Sequence, residues 1–114
     1  MSYEVFITRA TKRRVYEQAA DIARRQGAPK EAGRWLRRVF EAIESLEEMP
    51  RRRELAPEDR WCEYEVRRLS IGQFVLFFTI DDERRAVWIV HAKHARRRAQ
   101  PGDFPSRDAL SGDA

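Results

Sequence analysis

Two short basic stretches hold most of the residues that could do chemistry: Arg67-Arg68 and the run Lys93-His94-Ala95-Arg96-Arg97-Arg98. His94 is a candidate acid-base group, because an imidazole changes its charge near neutral pH. An arginine can form paired hydrogen bonds with a phosphate or a carboxylate, and such binding weakens as salt is added. The two stretches therefore predict an anionic partner, either nucleic acid or an acidic protein segment, and charge alone does not choose between them.

The two histidines are poorly placed to share a metal ion. His91 and His94 are three residues apart at the end of a predicted strand, where alternation sends their side chains to opposite faces. We therefore predict no metal site, and no cofactor. The single cysteine, Cys62, has no histidine near it in sequence, so we interpret it as a small apolar filler rather than a nucleophile.

These residues must be positioned by a small domain. The length of 114 residues predicts one domain, which we assign to residues 1–100, and a flexible tail over 101–114 that begins at Pro101-Gly102. The formal net charge is +4, and residues 51–100 carry twelve Lys/Arg against eight Asp/Glu, which places much of the excess beside the predicted sheet. With one cysteine, no signal-peptide pattern and no apolar run near ~20 residues, we expect a soluble, cytoplasmic protein without a membrane partner.

Three apolar runs predict an antiparallel sheet around which the rest of the chain is organised. They are Tyr64–Leu69, Phe74–Ile80 and Ala86–Val90, each short and rich in β-branched or aromatic residues. The links between them are too short to join anything but neighbouring strands of opposite direction. The central run is apolar at nearly every position, which indicates that both of its faces are covered.

Two amphipathic helices precede this sheet. Val15, Ala19, Ile22 and Ala23 form one apolar stripe, and Ala32, Trp35, Leu36, Val39, Ile43 and Leu46 form a second. Gly27 is expected to end the first helix and Pro29 to begin the next, so the pair forms an antiparallel hairpin. A further short strand is predicted at Tyr3–Thr8.

The predicted fold is therefore α+β, in the order β-α-α-β-β-β. The helical hairpin packs on one face of a small, mainly antiparallel sheet, and the N-terminal strand joins at an edge. We expect the other face of the sheet to carry the surplus arginines.

At this point the chain resembles a known family. The element order, the run from Tyr64 to Asp82 and the closing Val87-Trp88-Ile89-Val90-His91-Ala92-Lys93-His94-Ala95-Arg96-Arg97 look like the RelE/ParE superfamily of type II toxins. The resemblance spans residues 3 to about 98. It implies a small growth-inhibiting toxin of a plasmid-stabilisation system, silenced by a cognate antitoxin, and operator DNA as a partner through the toxin-antitoxin complex.

The superfamily has two branches that differ in activity. One branch cleaves messenger RNA in the ribosome, and the other poisons DNA gyrase without a known catalytic site. In the RNA-cleaving branch, a charged residue before the turn corresponds to Arg67, and a basic residue or histidine ending the last strand corresponds to His94. The arginine expected after the turn is Val75 here, and no tyrosine follows Tyr64. We therefore favour the ParE-like, gyrase-inhibiting branch.

Two alternatives stay open. In one, the protein is a ribosome-dependent endoribonuclease whose catalytic residues are Arg67 and His94, with an arginine from 96–98 replacing the missing one. In the other, it is a non-toxic relic that only binds antitoxin or operator DNA.

The resemblance also implies sites for partners. We assign contact with the target, gyrase or the ribosome with its messenger RNA, or with nucleic acid, to Arg68, Lys93, Arg96, Arg97 and Arg98. Trp35 and Phe40 are either core residues or aromatic anchors for the antitoxin.

Overall fold

A four-stranded sheet forms the centre of the computed structural model, which describes residues 2–25 and 27–113. Its strands are β1 (Glu4–Ile7), β2 (Arg67–Ile71), β3 (Phe74–Asp81) and β4 (Ala86–His94). In space their order is β1-β4-β3-β2. β2, β3 and β4 form the predicted antiparallel meander, and β1 pairs with β4 in parallel at the predicted edge position.

The turn between β2 and β3 has only two residues. Ile71 pairs with Phe74, so Gly72 and Gln73 alone reverse the chain. Gly72 has φ of 58°, a value that favours glycine, and a glycine at the first central position is typical of a type II′ hairpin turn. The turn therefore fixes the register of the two strands.

Two long helices form the predicted hairpin, α1 (Arg9–Arg25) and α2 (Pro29–Ser45). The Thr8 hydroxyl accepts the Thr11 backbone N–H at 3.3 Å, so Thr8 caps α1. Gly27 has φ of 60° and follows the end of α1, while Pro29 occupies the first turn of α2. No helix in the described ranges is long and apolar enough to cross a lipid bilayer.

The hairpin covers one face of the sheet, which we call the helix face. Val15 of α1 and Val39 of α2 are fully buried against apolar side chains of β2, β3 and β4. These sheet residues are Leu69, Ile71, Phe74, Leu76, Phe78, Val87, Ile89 and Ala92. The predicted α+β architecture is confirmed.

The opposite face, which we call the far face, carries a second apolar cluster instead of the surplus arginines that the sequence predicts. Val66, Val75, Phe77 and Val90 contribute to it from the sheet side. Ala56, Ala99, Phe104 and Leu110 cover them from the segments before β2 and after β4. The apolar composition of β3 explains both clusters, because a strand without polar alternation must be covered on both sides.

The C-terminal segment differs from the flexible tail that the sequence predicts. The segment contains a 3₁₀ turn at Pro101–Asp103 and a short helix, α3 (Arg107–Ser111), although its prolines predict a break in structure. Phe104 and Leu110 are 9% and 7% exposed, because they close the far face. The Tyr64 hydroxyl donates to the Pro105 carbonyl at 2.6 Å and ties the segment down. Ala114 lies outside the described residues.

β2 begins later than the sequence predicts, at Arg67 rather than Tyr64. The Val66 N–H donates to the Asp59 carboxylate at 2.7 Å, and the Val66 carbonyl accepts the Ala56 N–H at 2.8 Å. The backbone of Val66 is thus bound by the preceding loop. Tyr64 and Val66, two residues apart, both lie on the far face, as side chains do at alternate positions of an extended chain.

Candidate functional site

A groove opens beside the last residues of β4 because β1 is shorter than its neighbour. β1 pairs only with Ala86–Ile89, so residues 90–94 have no strand partner on that side within the described chain. α1 borders this end of β4 instead. The groove between them has a volume of about 760 Å³. We call it the basic groove.

Most of the charged residues that line the basic groove are cations. Arg13, Arg14, Arg24 and Arg25 come from α1, and Lys93 and Arg97 come from the end of β4 and the turn that follows. Glu17 and Asp21 are the two carboxylates among the lining residues, and Asp21 forms a 2.9 Å ion pair with Arg25. Six cations against two anions leave an excess of four, which equals the formal net charge of the whole chain. The remaining charges therefore balance one another.

Lys93 and His94 line this groove, and the Lys93 ammonium also lies 5.9 Å from the centroid of the Phe77 ring on the far face. The Lys93 ammonium donates to the Arg97 carbonyl at 2.9 Å, which leaves two of its three hydrogens for other partners. Nδ1 of His94 accepts the Arg96 backbone N–H at 3.2 Å. A neutral His94 ring therefore carries its proton on Nε2 and presents a donor rather than a base.

The predicted target-binding residues divide into three groups. Lys93 and Arg97 line the basic groove, and Arg96 and Arg98 are exposed on the turn beside it. Arg68 lies on β2, two strands away from β4, where it forms a 3.0 Å ion pair with Glu54. The structure thus gathers the basic run at residues 93–98 around one site and separates it from Arg68.

Arg67 is bound to its own loop. Its guanidinium donates to the Arg53 carbonyl at 2.7 Å and to the Glu65 carboxylate at 3.0 Å, and its side chain is only 15% exposed. These bonds hold the loop before β2 against the sheet.

Arg67 and His94 lie at opposite ends of the sheet. Arg67 pairs with Phe78, whereas His94 pairs with Phe74, four residues farther along β3. That offset is about 13 Å along the strand, and the two intervening strand spacings add about 10 Å across it. The two predicted catalytic residues are therefore not brought together.

Val75 lies on the far face of the sheet. Val75 is 9% exposed and belongs to the far-face cluster with Phe77 and Phe104. A phosphate-binding arginine is expected there in the RNA-cleaving branch, and here the position faces a buried apolar cluster.

The comparisons with known proteins agree with this architecture. The family model described as the ParE toxin of the type II toxin-antitoxin system, parDE, matches residues 5–99. The chain belongs to this family. Among solved structures, a chain of the archaeal RelE-RelB complex from Pyrococcus horikoshii OT3 has the same fold, with 18% sequence identity and a TM-score of 0.56. That match covers 86% of this chain and 100% of the other. No curated protein matches the sequence.

In this ParE-family toxin, His91 belongs to the far face rather than to the basic groove. Its ring stacks on Phe77 at 5.8 Å and contacts Phe104 at 5.3 Å between centroids. Burial, opposed by Asp103 and assisted by Arg14 and Lys93, lowers the pKa of His91 to about 4. His91 and His94 therefore face opposite sides, as predicted. In the described part of the chain, no group of three His, Cys, Asp or Glu side chains could hold a metal ion.

The aromatic residues of the toxin's helices lie near the basic groove. Trp35 is half-buried and packs edge-on against Phe74 at 5.1 Å. Phe40 is half-buried beside Tyr16, with ring centroids 6.1 Å apart. Tyr16 is 47% exposed and also lines the groove.

Sequence reasoning missed the contribution of α1 to the site. Arg13, Arg14, Arg24 and Arg25 read as an ordinary solvated helix face. Their spacing carried a signal, since Arg13 and Arg24, like Arg14 and Arg25, are eleven residues apart and share a helix face after three turns.

Proposed function

We propose that this ParE-family protein is a non-enzymatic growth inhibitor that acts on DNA gyrase in the cytoplasm, as the toxin of a plasmid-stabilisation system. A cognate antitoxin holds it silent, and the complex of the two binds operator DNA. Membership of the ParE toxin family supports the assignment to a type II toxin-antitoxin system. The choice of gyrase rests on the far face of the sheet.

The single observation that carries this choice is the closed, apolar far face. Ribonuclease chemistry without a metal needs a base, a cation at the phosphate and an acid, all close to one scissile bond. In this toxin Val75 belongs to the same buried cluster as Phe104 and Leu110, and Arg67 is bound to Arg53 and Glu65. Both side chains are therefore engaged within the fold itself. This favours inhibition by binding over catalysis.

We further propose that the antitoxin contacts the helical hairpin at Trp35 and Phe40. Both side chains are only half-buried, and aromatic anchors of this kind dominate protein interfaces. The solved chain of similar fold is part of a RelE-RelB complex, and this supports a protein partner for the present chain.

Expression of the toxin alone in cells tests the proposal. We expect growth arrest, altered plasmid supercoiling and intact messenger RNA, and co-expression of the antitoxin gene should restore growth. Normal growth would instead support a relic that only binds its partner or operator DNA. Rapid loss of messenger RNA with unchanged supercoiling would support the ribosome-dependent endoribonuclease.

One observation keeps the endoribonuclease as a second candidate. His94 lies in the basic groove beside Lys93 and Arg97, where an RNA phosphate would be attracted. This alternative predicts that His94→Ala abolishes RNA cleavage while antitoxin binding survives. If the toxin acts on gyrase, neither the natural protein nor the His94→Ala variant should cleave RNA.

A further inference from the structure

We propose that the basic groove is a binding site for single-stranded nucleic acid, which this toxin contacts directly and without its antitoxin. The inference does not depend on gyrase being the target, because it concerns the surface of the isolated chain. It rests on the distribution of charge, the spacing of the cations, an exposed aromatic residue and the concave shape of the site.

The charge distribution calls for a polyanion. Arg13, Arg14, Arg24 and Arg97 are exposed and form no ion pair with any residue that the structure describes. Arg51, by contrast, makes two hydrogen bonds with Asp82 at 2.9 and 2.6 Å and holds the pKa of that carboxyl at about 2. The groove thus brings these unpaired arginines together on one surface, where six cations meet two carboxylates.

The spacing of the cations suits a row of phosphates. Arg13 and Arg24 are eleven residues apart on α1, a distance of about 17 Å along the helix, and Arg14 and Arg25 repeat this spacing. Lys93 and Arg97 stand on the β4 side of the same groove. Cations on both sides of a groove can follow a phosphate backbone, which is how proteins bind a strand without reading its sequence.

Tyr16 provides a surface for stacking. It is 47% exposed within the groove, and the nearby Phe40 ring restricts its movement. An aromatic face beside a basic channel is the usual arrangement for binding unpaired bases. Glu17 and Asp21 also lie in the groove, but Asp21 is already paired with Arg25.

The concave shape favours a single strand over a duplex. Proteins that bind duplex DNA insert a protruding helix or strand into one of its grooves. In this toxin the cations line a depression of about 760 Å³ between α1 and the end of β4. A flexible strand can enter such a depression, whereas a stiff double helix can touch only its rim.

Fluorescence anisotropy with the full-length toxin tests the inference. The probe is a labelled single-stranded DNA of about twelve nucleotides, a length within the usual site size of about 4–16. Duplex DNA and single-stranded RNA of the same length are compared with it, and an oligoglutamate peptide serves as competitor. We expect both single strands to bind more tightly than the duplex, and the peptide to compete poorly.

The decisive variant is Arg13→Gln/Arg24→Gln. Each lost phosphate contact should reduce the slope of log K against log salt by about 0.7, so the double variant should lose about 1.4. Between about 50 and about 200 mM salt, the advantage of the natural protein over the variant should then shrink about sevenfold. The single variant Glu17→Gln should bind the strand more tightly, because it removes a negative charge from the groove.

The matched control is Arg37→Gln/Arg84→Gln, which removes the same charge from exposed positions outside the groove. Its salt slope should match that of the natural protein. An equal loss in both double variants would show attraction by net charge only and would overturn the proposal. Tighter binding of the duplex, efficient displacement by oligoglutamate, or no binding at about 50 mM salt would each overturn it as well.

Discussion

The far face of the sheet and the basic groove draw on the same strand but have opposite properties. Val90 and His91 of β4 face a buried apolar cluster, whereas His94 opens onto a groove lined by cations. A register shift between Phe77 and Phe78 places an extra residue in β4 here, so consecutive side chains can serve the same face. One surface of this toxin is therefore covered as a second core, whereas the excess positive charge lies on another surface.

The largest expected effect comes from truncating a side chain in the far-face cluster. Phe77 is 1% exposed and contacts both His91 and Phe104, so Phe77→Ala should lower the free energy of unfolding by about 3–5 kcal/mol. Urea denaturation measures this loss. Phe78→Ala, on the helix face of the same strand, is the matched control and should cost about as much. A cost below about 1 kcal/mol for Phe77→Ala alone would mean that the far face is not a core.

A somewhat smaller effect is expected from acid. The pKa of His91 is about 4 in the folded toxin against 6.5 ordinarily, so between these values the unfolded chain binds more protons. The burial of neutral His91 therefore has no pH-dependent cost in stability above about pH 6.5. As the pH falls towards 4, the free energy of unfolding declines by about 3 kcal/mol.

Denaturation across this pH range should show the decline, and His91→Gln should remove this part of it. The groups facing His91 are Asp103, Arg14, Lys93 and Glu58, and the variant retains all four. Identical pH profiles would contradict a buried, neutral His91.

A third effect distinguishes a packed C-terminal segment from a flexible tail. Leu110 is 7% exposed on the far face, so Leu110→Ala should cost about 2 kcal/mol. Asp108→Asn, on the exposed side of α3, should change stability by less than about 0.5 kcal/mol. If the two variants were equally stable, residues 101–113 would not belong to the core.

The smallest effect should come from the basic groove. Arg13→Gln/Arg24→Gln alters only exposed side chains, so the free energy of unfolding should change by less than about 0.5 kcal/mol. Thermal or urea denaturation checks this. A loss of several kcal/mol would assign these arginines a structural role and remove the contrast between the two regions.

Much of the fold could be predicted from local patterns. The stripes of Val15 and Val39, the turn at Gly72 and the unbroken apolar run of β3 each specify an element and its buried side. The boundary of β2 could not, because the backbone of Val66 is bound by Asp59 and Ala56, and such bonds across a loop leave no periodic trace.

The site was less accessible to sequence reasoning. The run at Lys93–Arg98 predicted a basic region, but the position of Arg13 and Arg24 beside it depends on β1 ending before β4. Likewise, Arg67 has the right character for catalysis, and only its partners Arg53 and Glu65 show that it is used for folding. The packing of Phe104 and Leu110 was hidden because prolines nearby suggested a break in structure.

We propose that this ParE-family toxin inhibits by binding gyrase and does not cleave RNA. The most direct measurement adds purified toxin to DNA gyrase and relaxed plasmid and follows the formation of supercoils. We predict inhibition that increases with toxin concentration and is reversed by the antitoxin. Undiminished supercoiling at saturating toxin, together with cleavage of ribosome-bound messenger RNA, would contradict the account.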